Sequence, residues 1–180
     1  NEQMNDLFIL LQNYRSVGVG RNDGATKGEY CGIFYNLNRL RVLQHNTIWL
    51  SETPEEPSSG WDASLNRIVT WAKFQDIYTS QIFFHFNTHF DHRGKIARQK
   101  SAELILSTIT KLNTEKRPVL VTGDFNARPD SVPYQILTRS ENLEPVKDAR
   151  LFSMQPPHGP EGTWSGFSFP GEPEKRIDYI

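Results

Sequence analysis

The chain has 180 residues, of which 37% are hydrophobic, 12% aromatic and 23% charged, a length and composition suited to one globular domain with an ordinary core. Twenty Lys and Arg against 21 Asp and Glu leave a formal charge of −1, which argues against an affinity built on a broad field of phosphate contacts but not against a local phosphate site. No apolar run approaches the ~18–20 residues that a membrane-spanning helix needs.

Met4, Leu7, Phe8 and Leu11 fall at i, i+3, i+4 and i+7 with no Gly or Pro between them, and this spacing predicts an opening helix. From Val17 to Leu50 short β-prone runs follow, Gly32–Tyr35 and Thr47–Leu50, separated by glycine-rich or polar turns. Cys31, among them, is the only cysteine, so neither an internal disulfide nor a cysteine-rich zinc site can form, and the compartment stays open. Thr53–Gly60, with two prolines, two serines and a glycine, is a loop. Ile68–Phe74 and Gln81–Phe90 read as neighbouring antiparallel strands. Lys95–Leu112 is a helix whose stripe is Ala102, Ile105, Ile109 and Leu112. Pro118 stops further helix, Val119–Thr122 reads as a buried strand ending at Gly123, and a short helix starts near Ser131-Val132-Pro133. Gln155–Glu174 is rich in Pro and Gly and predicts long loops. Arg176–Ile180 reads as a strand with no turn or cap behind it. A helix without a preceding strand and a strand without an end predict a single domain over 1–180 that is truncated at both ends.

Three clusters could carry chemistry. Gly123-Asp124-Phe125-Asn126 follows a strand directly, and in extended backbone residues two apart point the same way, so Asp124 and Asn126 can converge on a phosphate, a water or a cation. Hard cations such as Mg²⁺ prefer oxygen ligands of this kind and keep several waters; the plainer alternative is a turn shaped by Asp and Asn. Asn87-Thr88-His89-Phe90-Asp91-His92-Arg93-Gly94 sits at the tip of another strand, where alternation puts Asn87 and His89 opposite Ile82, Phe84 and Phe86. A histidine there can stabilise a phosphoryl oxygen or shuttle a proton. Gly20–Gly24 and Gly28-Glu29-Tyr30 read as glycine turns around a hairpin, and Glu29, starting a strand, could orient an imidazole.

Taken together these segments resemble the endonuclease/exonuclease/phosphatase family, the deoxyribonuclease-I-like metal-dependent phosphoesterases, and most closely a bacterial branch. The carriers are Gly28-Glu29-Tyr30, Asn87-Thr88-His89, Gly123-Asp124-Phe125-Asn126 with Pro129, and Arg176-Ile177-Asp178-Tyr179-Ile180, in the family's order. The resemblance implies an α+β fold, a four-layer α/β/β/α sandwich with two mixed, mainly antiparallel sheets whose first and last strands are missing from these residues. It implies hydrolysis of phosphoester bonds, as a phosphodiesterase, nuclease or phosphatase, by in-line attack of an activated water with Mg²⁺ or Mn²⁺. Asp124 would activate the water, Asn126 would orient Asp124, and both would touch the metal. His89 would contact the scissile phosphate, Glu29 would pair with His89, and Asp178 would orient a second histidine. Asn87, Arg21, Arg93 and Arg98 are candidates to hold the substrate, a small phosphoester or a nucleic acid. The Gln-Glu pair that supplies the family's main metal ligand and the Ser-Asp-His segment are both absent from these residues, so the 180 residues alone are expected to be nearly inert.

Two other readings compete. A non-catalytic binding module could keep the fold with an incomplete metal site. A zinc hydrolase could use His89, Asp91 and His92, because Asn87–His92 matches the His-x-His-x-Asp-His string of metallo-β-lactamase-type hydrolases except at Asn87, a poor zinc ligand.

Overall fold

Ile68–Asp76 is buried along nearly its whole length, the texture of a strand covered on both faces. In the computed structural model, which describes residues 2–139, 141, 144–167 and 171–180, it is the second strand of a five-stranded sheet. The elements in chain order are α1 (Glu2–Leu10), β1 (Tyr14–Val17), β2 (Ile33–Asn36), β3 (Leu40–Trp49), β4 (Ile68–Asp76), β5 (Ile82–His89), α2 (Lys95–Leu112), β6 (Val119–Asp124), α3 (Val132–Arg139), α4 (Ala149–Phe152) and β7 (Asp178–Tyr179). Strands β3 to β7 lie in sequence order, antiparallel except for the parallel pair β5–β6, whose crossover is α2. Strands β1 and β2 form a separate antiparallel pair.

The layers follow from which side chains each face presents. Phe84, Phe86, Val69 and Trp71 point to one side and pack under Ala102, Ile105, Leu106 and Ile109 of α2, with Tyr134 and Leu137 of α3 closing the same core. Ala72 and Phe74 meet Val17 and Ile33 of the small sheet on the other side. Helix α1 lies outside the small sheet, with Phe8 and Phe34 in ring contact at 5.9 Å. The result is the expected α/β/β/α order, with a mixed large sheet and an antiparallel small one.

The structure differs from the sequence reading in three places. Strand β3 begins at Leu40, seven residues before the Thr47–Leu50 run, because it is an edge strand whose Arg41, Gln44, His45 and Asn46 face solvent. Strand β1 carries only one buried residue, Val17, and gives no alternation to read. Glu29 does not start a regular strand; it precedes an isolated bridge between Gly20 and Tyr30. Of the predicted loops Gln155–Glu174, residues 168–170 lie outside the described residues. No helix among the described residues is long and apolar enough to cross a membrane.

Candidate functional site

Adjacent strands β5 and β6 run parallel and end together, so their last residues, His89 and Asp124, are register partners. The sheet thereby delivers an imidazole and a carboxylate side by side at its C-terminal edge. His89 Nε2 lies 3.5 Å from Asp124 Oδ2, and His89 Nδ1 lies 3.4 Å from Glu29 Oε2. Glu29 is itself held by Arg21, whose Nη1 donates at 2.7 Å. The turn carrying Arg21 is pinned from β3, where Trp49 Nε1 donates to the Arg21 carbonyl at 2.7 Å.

Gly123 makes the approach of β6 to β5 possible. Its φ is 142°, and a Cβ there would overlap the Thr88 carbonyl, so only glycine fits. After Asp124 the chain turns sharply. The Asn126 N–H donates to Asp124 Oδ1 at 2.7 Å, and Asn126 Nδ2 donates to the Phe90 carbonyl at 2.9 Å. Asn126 is thus held at φ 45°, a conformation that asparagine tolerates better than most residues. Asp178, exposed on β7, is the register partner of Asp124 from the other side.

The electrostatics are those of a half-buried pair. Burial pushes the His89 imidazole down to about 4, and the nearby charge of Arg67 acts in the same direction against Glu29 and Asp178. The ring is therefore neutral at neutral pH and can donate from one nitrogen only. Burial raises Asp124, which the Asn126 N–H opposes and the charge of Asp178 reinforces.

The sequence-predicted residues divide into two groups. Glu29, His89, Asp124, Asn126 and Asp178 converge, with Arg21 behind Glu29. Asn87, a candidate to hold the substrate, takes part in a relay between the sheets. His85 Nε2 donates to Thr122 Oγ1 at 2.8 Å, Thr122 Oγ1 donates to Asn87 Oδ1 at 2.9 Å, and Asn87 Nδ2 donates to the Gly32 carbonyl at 3.0 Å. Arg98 spends Nη1 on the Asp91 carbonyl at 2.7 Å. Arg93 has an exposed side chain and meets the site region only through its backbone N–H, which donates to Asp91. Arg21 is nine-tenths buried and faces Glu29 rather than open solvent.

The zinc cluster of His89, Asp91 and His92 does not assemble. Asp91 is fully buried, and its carboxylate takes Ser64, Arg67 and the N–H groups of Arg93 and Gly94. His92 turns Nδ1 to Arg67 Nη2 at 3.0 Å. A carboxylate saturated in this way fixes a turn and cannot join His89 on a metal. Among the described residues no group of three or more His, Cys, Asp or Glu side chains is placed to hold an ion. The Asp124 and Asn126 side-chain oxygens remain as two hard ligands, a set that fits a divalent cation retaining several waters.

Arg67, with a side chain only 4% exposed, is the residue the sequence reading missed. Its signal was an arginine leading directly into an apolar strand, Ile68-Val69, where a charge enters the core only with a partner; that partner is Asp91.

Residues 9–180 match the Endonuclease/Exonuclease/phosphatase family. The chain belongs to that family. An endonuclease/exonuclease/phosphatase protein from Bacteroides vulgatus is similar at 42% identity, with a TM-score of 0.90 over 99% of this chain and 67% of that one. A mannosyl-6-phosphatase from Bacteroides thetaiotaomicron is similar at 35% identity and a TM-score of 0.87, over 99% of this chain and 66% of that one. An uncharacterized protein of Acanthamoeba polyphaga mimivirus is 31% identical over 128 residues, covering 69% of this chain and 47% of the viral protein. The chain spans less than half the length of the curated relatives it matches. Within the endonuclease/exonuclease/phosphatase frame, His89 and Asp124 stand at the shared edge of β5 and β6.

Proposed function

We propose that this chain carries part of the catalytic centre of a metal-dependent phosphoester hydrolase that works by in-line attack of water. The observation that carries the reading is the convergence of Glu29, His89, Asp124 and Asn126, drawn from three separate parts of the chain, on one edge of the sheet. Glu29 Oε2 stands 3.4 Å from His89 Nδ1, where its charge favours the proton on that nitrogen and leaves Nε2 towards Asp124. A water placed beside His89 Nε2 and Asp124 Oδ2, which are 3.5 Å apart, would have two bases within reach. Burial raises the basicity of Asp124, so it takes a proton more readily than a solvated carboxylate does. Asn126 keeps Asp124 in one rotamer through its backbone N–H.

Mg²⁺ or Mn²⁺, held by Asp124 and Asn126 together with waters, would offset the negative charge that builds on the phosphoryl oxygens. The near-zero net charge and the 35% identity to a protein described as a mannosyl-6-phosphatase both support a small phosphoester over a long nucleic acid.

The test is hydrolysis of a panel of phosphomonoesters and phosphodiesters by the full-length protein, with Mg²⁺, with Mn²⁺ and with EDTA. The expected result is metal-dependent turnover that Asp124→Ala abolishes. Turnover that persists through both EDTA and Asp124→Ala overturns the assignment.

A further inference from the structure

A groove of about 410 Å³ opens beside the candidate centre, between the first turns of α2 and the segment 126–133. It shares Asn126 with that centre, so the groove begins two residues from Asp124. Lys95, Arg98 and Arg128 line it against one acid, Asp130, a local excess of two positive charges in a chain whose total is −1. Arg128 and Asp130 are 3.5 Å apart with side chains 66% and 77% exposed, a pairing too solvated to neutralise either. The rim also carries Ile96 and Val132, 55% and 53% exposed, two aliphatic side chains that contribute little to the core.

The helix N-terminus is not what gives this groove its charge. The N–H groups of Ile96 and Ala97 are already taken by Asp62, reaching in from the 51–66 loop. The walls are tied by hydrogen bonds: Asp91 accepts from the turn before α2, Arg98 donates to the Asp91 carbonyl, and Tyr179 donates to the Ala127 carbonyl at 2.8 Å. A preformed groove with a cationic lining and an aliphatic rim matches a compact organic anion.

We infer that this groove is the subsite for a second anionic group of the substrate, which makes the substrate class a small phosphoester bearing a further phosphate. The inference rests on the phosphoesterase reading above. The second phosphate could belong to a nucleotide or to a sugar bisphosphate, and the groove reads the charge that both share.

The experiment uses the full-length protein and the double variant Lys95→Gln/Arg128→Gln, which removes two exposed cations and spares Arg98. Turnover is measured on p-nitrophenyl phosphate, adenosine 3′,5′-bisphosphate and fructose 1,6-bisphosphate. The expected result is a loss of about tenfold in kcat/KM on a bisphosphate, with less than a twofold change on the aryl ester. A loss on both bisphosphates assigns recognition to charge alone, and a loss on the adenosine compound only assigns it to a nucleotide that also touches Ile96 and Val132. Equal losses on all three substrates, or none on any, overturn the subsite. Calorimetric binding of the same bisphosphates separates this from the catalytic reading: if no ester is turned over, affinity weakened about tenfold by the double variant upholds the subsite, and unchanged affinity overturns it.

Discussion

His89 and Asp124 face each other at 3.5 Å across the only parallel pair among the described strands, as register partners at the ends of β5 and β6. A parallel pair ends both strands at the same edge, and an antiparallel pair would have sent one residue to the far side of the sheet. The crossover that α2 supplies is therefore what assembles the centre. Replacing either residue should remove chemistry without unfolding the protein, since both side chains are partly exposed and neither fills the core. Asp124→Asn and His89→Ala are each expected to lower kcat/KM on a phosphoester by ~10²–10⁴, with circular dichroism and melting temperature near those of the parent. A loss that tracks a lowered melting temperature would refute this.

Asn87 invites the same experiment with the opposite expectation. Its amide links β5 and β6 to the small sheet through the His85–Thr122–Asn87–Gly32 relay. Asn87→Ala leaves the Thr122 hydroxyl and the Gly32 carbonyl short of a partner, which costs about 1–3 kcal/mol. The expected outcome is a lower denaturant midpoint with KM essentially unchanged. A raised KM at unaltered stability would return Asn87 to the substrate.

Gly123 gives a stricter test of the strand geometry. At φ 142° a side chain is strained whatever the space, and here the space is filled by the Thr88 carbonyl. Gly123→Ala must push β6 away from β5 at the point where Asp124 is aimed, and we expect it to cost about 3 kcal/mol or more. Reduced soluble yield and a lowered melting temperature should accompany loss of activity. A stable, fully active Gly123→Ala protein would contradict the register described for β5 and β6.

The strand-end motifs were legible because their polar residues interrupt hydrophobic runs that must be strands. Asp124 and Asn126 behind Val119–Thr122, and His89 behind Phe84 and Phe86, stand where no packing role explains them. The pairing of Glu29 with His89 came only with the family resemblance, since sixty residues separate them and no spacing rule connects a turn to a strand on another sheet. Edge strand β3 was half hidden because its solvent-facing residues are polar on both sides of the alternation. The relay through Asn87 was not legible, because alternation places it beside His89 but cannot say that the small sheet's Gly32 carbonyl lies opposite. Arg67 was passed over because a charge before an apolar strand looks like a boundary, and only the fold shows Asp91 waiting inside.

The buried Asp91 carboxylate should contribute to how the protein meets acid. Asp91 is fully buried, and burial alone would raise its carboxyl; the N–H groups of Gly94 and Arg93 and the two donors of Ser64 outweigh that and hold it well below the ordinary carboxylate range. A carboxyl depressed in the folded state binds protons more readily once unfolded, so acid favours unfolding. Its stabilising contribution is complete above the unfolded value of about 4 and falls away as pH drops from there toward the lower folded value. The midpoint of urea unfolding should therefore hold steady from pH 7 to about 5 and decline steeply below about 4. Asp91→Asn keeps the shape but leaves the Arg67 guanidinium buried without its counter-charge, and removing one partner of a buried pair costs about 3–5 kcal/mol. The variant should be less stable than the parent at pH 7, and its unfolding midpoint should lose most of the decline below about pH 4. An Asp91→Asn protein with the parent's acid profile would show that other carboxylates set it.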